Sequence, residues 1–269
     1  MPTLSELKEH LAGLGRVLLG YSGGVDSALL AVAARQALGR DRMLAVIGRS
    51  ASYPAVQWQA ALALARRFDV PLLELDTHEL DDPRYVANAP DRCYFCKMEL
   101  WTRLGAVAVA RGYDVVIDGT NADDLGEHRP GLRAATERAV RSPLVDLGWS
   151  KAAVRAAARE LGIPTWDAPA APCLSSRIRY GLAVTSNRLA QVEAGEAYLR
   201  RLGVSGDLRV RHHGATARLE IAAEHHARLS ERWDEIRAFF QALGFAAVEL
   251  DPRGYRRGSL LAVSADSGR

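Results

Sequence analysis

The chain has 269 residues, of which 48% are hydrophobic and 25% are charged, and this composition excludes long disordered or fibrous regions. Its net charge of +3, from 35 basic and 32 acidic residues, is too balanced for a general polyanion binder, so we predict no nucleic-acid partner. The first residues lack the apolar core of a signal peptide, and no apolar run approaches membrane-spanning length. We therefore expect a cytoplasmic protein that does not contact a membrane.

Short apolar runs alternate with helix-periodic segments between Arg16 and His128. This alternation is typical of a parallel sheet with crossover helices, whose strands are buried on both faces. The predicted strands cover residues 16–21, 43–48, 71–76 and 114–120, and the predicted helices cover residues 26–38, 55–68, 97–111 and 151–161. The pattern predicts a doubly wound α/β domain over residues 1–166.

The order of elements changes after a stretch with three prolines, DAPAAPCLSSRIRYG, at residues 167–181. We interpret residues 167–184 as a cysteine-bearing loop and linker. The predicted elements that follow are a helix at 186–202, strands at 208–213 and 217–222, a helix ending at Leu243 and a strand at 246–251. Residues 185–269 are therefore predicted to form a small α+β domain.

The sequence YSGGVDS lies directly after the first predicted strand and directly before the first predicted helix, at residues 21–27. Two adjacent glycines allow a tight turn that exposes backbone N–H groups, and the following helix adds its partial positive end, so the turn suits phosphate oxygens. The lysine of a Walker loop is absent, which indicates a different kind of phosphate-binding loop. The alternative interpretation is a tight turn without a ligand.

The three cysteines of the chain form a CxxC pair, Cys93 and Cys96, and a distant third, Cys173. In a reducing compartment this arrangement indicates a metal-binding, redox or catalytic role rather than a disulfide framework. Three thiolates could hold an iron–sulfur cluster with one iron open to a further ligand. Zinc, with His78 or His128 as a fourth ligand, and simple thiols remain alternatives.

An acidic segment, DGTNADDLGEHRPG, follows the last predicted strand of the α/β domain. Such a segment lies at the carboxyl edge of a parallel sheet, where ligands usually bind. Its carboxylates Asp123, Asp124 and Glu127 could hold Mg²⁺ against nucleotide phosphates, and a solvated acidic turn is the alternative.

Arginines cluster after Cys173 and on the strand LRVRHH. Arg177, Arg209 and Arg211 could bind the phosphate of a substrate, because arginine makes bidentate contacts with phosphate, although a solvated edge strand fits nearly as well. The four histidines of the second domain lack a ligand pattern, and we expect them at the surface or between domains: His212, His213, His225 and His226.

SGGVDS resembles the PP-loop signature of the N-type ATP pyrophosphatases, which split ATP into AMP and pyrophosphate while they adenylate a substrate. The resemblance implies that this loop holds the pyrophosphate. The nucleotide-binding residues expected from it are Tyr21, Ser22, Gly23, Gly24, Val25, Asp26, Ser27, Gly119 and Asn121.

Five segments in this order over nearly the whole chain resemble the LarE family: SGGVDS, RCYFCK, DGTNADDLGEHRPG, PCLSSRIRYG and LRVRHHG. LarE proteins are ATP-dependent sulfur transferases of nickel-pincer nucleotide cofactor biosynthesis. The resemblance implies that a carboxylate of pyridinium-3,5-biscarboxylic acid mononucleotide is adenylated and then converted to a thiocarboxylate. ATP, Mg²⁺ and a small-molecule nucleotide substrate follow from it, and we expect a homo-oligomer that meets other proteins of the cofactor pathway.

The family has two versions, which differ in the source of sulfur. In one, a lone cysteine matching Cys173 gives up its own sulfur and becomes dehydroalanine. In the other, three cysteines hold a [4Fe-4S] cluster that carries an extra sulfide. The CxxC pair favours the second version, with Cys173 as the catalytic cysteine and Cys93, Cys96 and Cys173 as cluster ligands. Acidic metal ligands of the family would fall at Glu193, Glu196 or Glu220.

Three further functions stay open at this point. The chain could be a PP-loop sulfurtransferase that acts on tRNA, although such an enzyme would need a broader basic surface. It could also be an amide-forming ligase. From a different class, it could be a nucleotide or iron–sulfur binding module without turnover.

Overall fold

The computed structural model describes residues 2–126, 130–169 and 172–256. The chain forms two compact units. The first unit comprises Met1–Glu79 and Asp91–Ala171, and the second comprises Leu80–Pro90 and Pro172–Arg269. The main division therefore falls inside the predicted linker, at residues 171–172. The assignment of residues 80–90 to the second unit was not anticipated from the sequence.

The first unit contains a parallel sheet made of β1 (Val17–Gly20), β2 (Met43–Arg49), β3 (Leu72–Asp76) and β4 (Val115–Ile117). The order across this four-stranded sheet is β3-β2-β1-β4, so β1 is a central strand. Leu18 of β1 is paired with Leu44 of β2 on one side and with Val116 of β4 on the other. The carboxyl ends of β1 and β4 consequently lie side by side at one edge of the sheet.

Helices of the first unit cover both faces of this sheet. They are α1 (Leu4–Gly13), α2 (Val25–Leu38), α3 (Ala55–Arg67), α5 (Arg92–Arg111), α6 (Pro130–Glu137), α7 (Pro143–Asp146) and α8 (Lys151–Glu160).

Alternate residues of β1 point into two hydrophobic clusters. Val17 and Leu19 join the cluster that includes α1, α2 and α8, whereas Leu18 joins the cluster that includes α5 and α6. A strand buried on both faces presents successive side chains to opposite sides, so continuous apolar runs of this kind mark sheets covered by helices on both faces. The predicted doubly wound α/β fold is confirmed.

One helix boundary differs from the prediction in a way that matters for the cysteines. The helix expected at residues 97–111 begins five residues earlier, at Arg92, so both cysteines of the CxxC pair are helical. Cysteine and aromatic residues are weak helix formers, but packing compensates for this. The Tyr94 hydroxyl donates to Glu137 Oε2 of α6 over 2.5 Å, and the Arg133 guanidinium lies 4.0 Å from the Tyr94 ring centroid.

The second unit is a small α+β arrangement, as predicted. Its helices are α4 (Pro83–Val86), α9 (Ser186–Arg201), α10 (His226–Glu231) and α11 (Trp233–Ala242), and its strands are β5 (Leu208–His213), β6 (Thr216–Ile221) and β7 (Ala247–Leu250). The sheet order is β5-β6-β7, with β5 antiparallel and β7 parallel to β6. Its core contains Leu199, Val210, Leu219, Ile236 and Phe240, none of which is exposed to solvent.

In the described ranges, every helix is too short or too polar to cross a lipid bilayer.

Candidate functional site: a phosphate-binding loop and a buried arginine network

The loop that joins β1 to α2 requires glycine at its centre. Gly23 has a φ of +71°, in the left-handed region, and a Cβ added there would lie 2.5 Å from the Cβ of Ala61. A larger residue would therefore be strained twice, by its backbone conformation and by contact with α3. The chain needs this glycine to turn directly from a buried strand into a helix.

Hydroxyl groups hold the loop in shape. The Ser27 hydroxyl donates to the Gly24 carbonyl over 3.0 Å, and the backbone N–H of Ser22 donates to Ser27 Oγ over 3.2 Å. The two serine Oγ atoms lie 3.1 Å apart. The first N–H groups of α2, from Val25 to Ser27, have no carbonyl one turn earlier to bond, so they are available to an anion.

Two tyrosines, the buried Tyr21 and the half-buried Tyr53, donate hydrogen bonds to backbone carbonyls of α3 and of this loop. The Tyr21 hydroxyl donates to the Ala61 carbonyl over 3.0 Å, and the Tyr53 hydroxyl donates to the Ser22 carbonyl over 2.7 Å. Burial raises the pKa of Tyr53 to about 12 and also raises the pKa of Tyr21. Both phenols therefore remain protonated donors, and the Tyr21 side chain braces the loop against α3.

The segment after β4 approaches the same loop. A Cβ added to Gly119 would lie 2.9 Å from the backbone nitrogen of Ser27, so only glycine allows this close approach. The Asn121 side-chain amide donates to Asp26 Oδ1 over 3.0 Å. The structure thus brings together two segments that were predicted to form one nucleotide site. Their binding roles stay predictions.

The acidic residues predicted to hold Mg²⁺ have backbone partners. Asp123 Oδ2 accepts a hydrogen bond from the Lys151 N–H over 2.9 Å, and Asp124 Oδ2 accepts one from the Asn121 N–H over 3.1 Å. Glu127 lies outside the described residues. Within residues 2–126, 130–169 and 172–256, no group of three or more His, Cys, Asp or Glu side chains is arranged to hold a metal ion. A Mg²⁺ site here remains a prediction.

One charged residue of this region was missed from the sequence. Lys151 is the first residue of α8, and its ammonium lies 2.5 Å from Asp26 Oδ2. The two residues are 125 positions apart, so no local motif joins them. The sequence did contain one signal for this lysine. It directly follows the Ser150 N-cap, and basic residues are disfavoured at the N-terminal end of a helix.

The CxxC pair lies at the start of α5. Cys93 is exposed and Cys96 is half-buried. Residues three apart on a helix are neighbours on one face, with Cβ atoms about 5–6 Å apart, so both sulfur atoms project from the same side. The N-terminal end of a helix also favours negatively charged groups. The pair can therefore supply two thiolate ligands from one rigid element.

Cys173 belongs to the second unit, and its backbone is firmly held. It precedes a 3₁₀ turn at Leu174–Arg177, within the stretch predicted to be an irregular loop. Its carbonyl accepts hydrogen bonds from the Ser176 hydroxyl over 2.7 Å and from Arg177 Nη1 over 3.1 Å. The Cys173 side chain is half-buried.

Segment 80–90 fixes the same turn from within the second unit. The buried Tyr85 hydroxyl lies 2.5 Å from the Ser175 hydroxyl. Asn88, which is fully buried, donates from its side-chain amide to the Arg179 carbonyl over 2.9 Å and to the Leu182 carbonyl over 2.8 Å. These contacts explain why residues 80–90 belong to this unit.

Of the arginines predicted to bind a substrate phosphate, Arg177 is buried in an ion pair. Its guanidinium donates to both carboxylate oxygens of Glu196, over 2.9 and 3.2 Å, and only 2% of the residue is exposed. Glu196 Oε1 also accepts the Val210 N–H over 3.1 Å. The pair connects the Cys173 turn to α9 and β5.

Arg209 and Arg211 are buried as well, which contradicts the solvated edge strand. Arg211 Nε donates to Glu220 Oε2 over 2.8 Å, and its Nη1 donates to the Ser176 carbonyl over 2.9 Å. The Arg209 guanidinium lies 4.8 Å from the Tyr255 ring centroid. Burial, and then the nearby charge of Arg177, lower the pKa of Arg209. Phosphate binding by these side chains stays a prediction.

His212 was expected at the surface or between domains, but it is buried among residues of the second unit. The side chain is buried between Gln191, whose Oε1 lies 3.0 Å from Nε2, and Gly214, whose N–H donates to Nδ1 over 3.2 Å. Burial, with a smaller contribution from the charge of Arg188, lowers the pKa of His212 to about 4. The imidazole is therefore neutral at pH 7 and serves packing in the second unit.

Comparison with known proteins identifies relatives that cover nearly the whole chain. Residues 5–91 match the NAD synthase family. The chain is 42% identical over 259 residues to an uncharacterized protein of Synechocystis sp., covering 96% of both chains. It is 31% identical over 241 residues to an uncharacterized protein of Methanocaldococcus jannaschii, covering 90% of this chain and 91% of that one.

A third relative has a named activity. The chain is 35% identical over 264 residues to the pyridinium-3,5-bisthiocarboxylic acid mononucleotide synthase of Lactiplantibacillus plantarum, covering 97% of this chain and 95% of that protein. The match to the NAD synthase family covers β1, the glycine turn at residues 21–27 and α2. Because the identity to the synthase extends over both proteins almost from end to end, this chain belongs to the LarE family of ATP-dependent sulfur transferases.

Proposed function

We propose that this enzyme converts a carboxylate of pyridinium-3,5-biscarboxylic acid mononucleotide to a thiocarboxylate. The observation that carries the proposal is the preformed loop at residues 21–27, which presents the first N–H groups of α2 to an anion. The Lactiplantibacillus plantarum relative is named for its product, in which thiocarboxylates replace carboxylates. An enzyme that makes this exchange must first activate a carboxylate.

Activation requires ATP for a chemical reason. A carboxylate is a poor electrophile, and its oxygen is a poor leaving group. In the proposed first step, a carboxylate oxygen of the substrate attacks the α-phosphorus of ATP, and pyrophosphate leaves. In the second step, a sulfur nucleophile attacks the acyl carbon, and AMP leaves with the oxygen. The loop between β1 and α2 supports the first step, since it suits the departing pyrophosphate.

The donor chemistry of the cysteines fits an iron–sulfur cluster. Cys93 and Cys96 offer two sulfur ligands from one face of α5, and Cys173 offers a third from the second unit. We propose that these three residues hold a [4Fe-4S] cluster. When bound, such a cluster would supply a replaceable sulfide at its fourth iron. The chain's own contribution is to fix the cysteine backbones, as the Arg177–Cys173 hydrogen bond does for the third ligand.

The remaining parts of the proposal concern ligands and partners. Asp123 and Asp124 would hold Mg²⁺ beside the nucleotide, and this would require them to exchange their backbone partners for the ion. We also propose a homo-oligomer that acts in the cytoplasm, together with other proteins that build the same cofactor.

Pyrophosphate release tests the proposed function. We expect release from ATP when pyridinium-3,5-biscarboxylic acid mononucleotide is added, and none without substrate. Equal release with tRNA in place of the mononucleotide would indicate a tRNA sulfurtransferase instead. A chain that binds ATP but releases no pyrophosphate with either substrate would contradict the proposal and indicate a binding module. AMP and pyrophosphate should appear in equal amounts, because both come from one ATP.

A further inference from the structure

The turn that follows β7 in the second unit is built on a buried carboxylate. Asp251, the first residue after β7, is 1% exposed. Its Oδ1 accepts the Arg253 N–H over 2.9 Å, and its Oδ2 lies 2.8 Å from Arg218 Nη2 of β6. A Cβ added to Gly254 would lie 2.6 Å from the Ile221 carbonyl oxygen, so the turn packs directly on β6. Because a buried carboxylate is costly without such partners, the turn is held firmly against the sheet.

Tyr255 follows this glycine, and its ring faces Arg209 of β5. The Arg209 guanidinium carbon lies 4.8 Å from the ring centroid, and its Nη1 donates to the Leu208 carbonyl over 2.6 Å. Tyr255 is half-buried and Arg209 is only 7% exposed. A cation over an aromatic face is attracted by the ring, most strongly where water is excluded. The anchored turn thus places an aromatic ring where it fixes the direction of this guanidinium.

The other two arginines of the network are held by carboxylates. Arg177 donates to Glu196, and Arg211 donates to Glu220. An ion pair weakens the attraction of a guanidinium for a second anion, whereas contact with a neutral ring leaves the charge of Arg209 intact. Three guanidiniums and two carboxylates leave the network with a net positive charge, as a phosphate site requires. The ring therefore orients Arg209 without weakening its attraction for phosphate.

We propose that Tyr255 is a positioning residue of a phosphate subsite, where its ring orients the Arg209 guanidinium towards the phosphate of the mononucleotide substrate. The contact selects phosphorylated substrates, since a nucleoside gives Arg209 no anion to bind. Because the ring acts through Arg209, it contributes to substrate binding rather than to the adenylation step. This inference rests on the proposed mononucleotide substrate and on phosphate binding by Arg209, but not on the source of sulfur.

Kinetics with two substrates test this role. For Tyr255→Leu, the KM for pyridinium-3,5-biscarboxylic acid mononucleotide in pyrophosphate release should rise about 5- to 30-fold, because a desolvated cation–π contact is lost. The kcat should stay within about 2-fold of the wild-type value, since the contact contributes equally to the bound substrate and to the transition state. With the dephosphorylated nucleoside, the variant and the wild type should behave alike. A misfolded chain would lose activity with both substrates.

Two further variants separate the ring from other causes. Tyr255→Phe keeps the ring and should restore the KM to within about 2-fold of the wild-type value. Tyr113→Leu is the matched control, because the half-buried Tyr113 of the first unit has the Arg16 guanidinium 4.9 Å from its ring centroid. It should leave the KM for both substrates unchanged. The inference is wrong if Tyr255→Phe is as impaired as Tyr255→Leu, or if Tyr255→Leu affects mononucleotide and nucleoside equally.

Calorimetric binding without ATP separates this inference from the proposed function. Tyr255→Leu should weaken binding of the mononucleotide and leave binding of the nucleoside unchanged. That result in a chain that makes no thiocarboxylate would leave the inference standing and overturn the proposed function. Normal KM of Tyr255→Leu in a chain that converts the mononucleotide, or equal affinity of the wild type for mononucleotide and nucleoside, would overturn the inference alone. A wild-type chain that binds neither compound would overturn both.

Discussion

The loop at residues 21–27 and the turn after Cys173 keep their shapes by different means. The loop is held by neutral hydrogen bonds among Ser22, Gly24 and Ser27, which lie within six residues of each other. The turn is held by the buried Arg177–Glu196 ion pair, whose partners are 19 positions apart. Neutral local bonds leave the helix N–H groups available to a ligand. A buried ion pair is tied to the stability of its whole unit, because either charge alone is costly to bury.

This comparison predicts its largest effect at Arg177. Arg177→Met should lower the free energy of unfolding of the second unit by up to about 3 kcal/mol, because Glu196, whose side chain is only 18% exposed, would lose the guanidinium that compensates its charge. Hydrogen exchange of amides at residues 172–256 would report the loss. The matched control is Arg237→Met, which removes an exposed ion pair with Asp234 and should cost less than about 1 kcal/mol. Equal effects of the two changes would contradict the structural role of Arg177.

A change in the loop should affect chemistry rather than folding. Asp26→Ala removes the group that holds both Asn121 and Lys151, and substrate-dependent pyrophosphate release should fall on the order of 100-fold, as when a transition-state charge loses its stabilising contact. The melting temperature should change little.

The control for Asp26 is Asp234, which is also the second residue of its helix, α11. Asp234→Ala removes the same favourable contact with a helix N-terminus. It should leave pyrophosphate release at the wild-type level. Unchanged release by Asp26→Ala would contradict the assignment of the loop to ATP.

A smaller effect should appear in the pH dependence of the second unit. The pKa of His212 is lowered to about 4 in the folded chain, so the unfolded chain binds a proton first as pH falls. The stability contributed by the neutral imidazole is complete above the unfolded pKa of about 6.5 and decreases as pH falls from there towards 4. The loss near pH 4.5 should be about 2–3 kcal/mol, since pH 4.5 lies two units below the unfolded pKa.

Replacement of His212 by Gln should flatten this pH dependence, because glutamine does not titrate. Thermal unfolding between pH 4.5 and pH 7.5 is the measurement. His78→Gln, which replaces an exposed histidine of the first unit, should leave the slope unchanged. A slope in His212→Gln as steep as in the wild type would show that other groups cause it.

Sequence reasoning succeeded where structure is local. The strand, glycine turn and helix around residues 16–38 were predicted because a buried strand and a helix start have short-range signatures. The start of α5 was missed by five residues, since the contact between Tyr94 and Glu137 overrides weak helix propensity.

Long-range pairs could not be predicted in the same way. Nothing in the sequence near Lys151 specifies Asp26, and nothing near Arg177 specifies Glu196. The alternation of Arg209 and Arg211 correctly placed both residues in a strand. The burial of their side chains could not be predicted, because it depends on which elements pack against β5. Partners of this kind are fixed by tertiary packing, which single-sequence periodicity does not encode.

The source of sulfur is the central claim, and intact mass measured alongside product formation tests it most directly. Anaerobically reconstituted protein with sulfide, ATP and the mononucleotide should form more than one thiocarboxylate per chain without a change in protein mass. Cys93→Ala should be nearly as inactive as Cys173→Ala, because loss of one ligand releases the cluster. A single turnover, a mass loss of about 34 Da at Cys173 and full single-turnover activity of Cys93→Ala would contradict the account and identify Cys173 as a sacrificial donor.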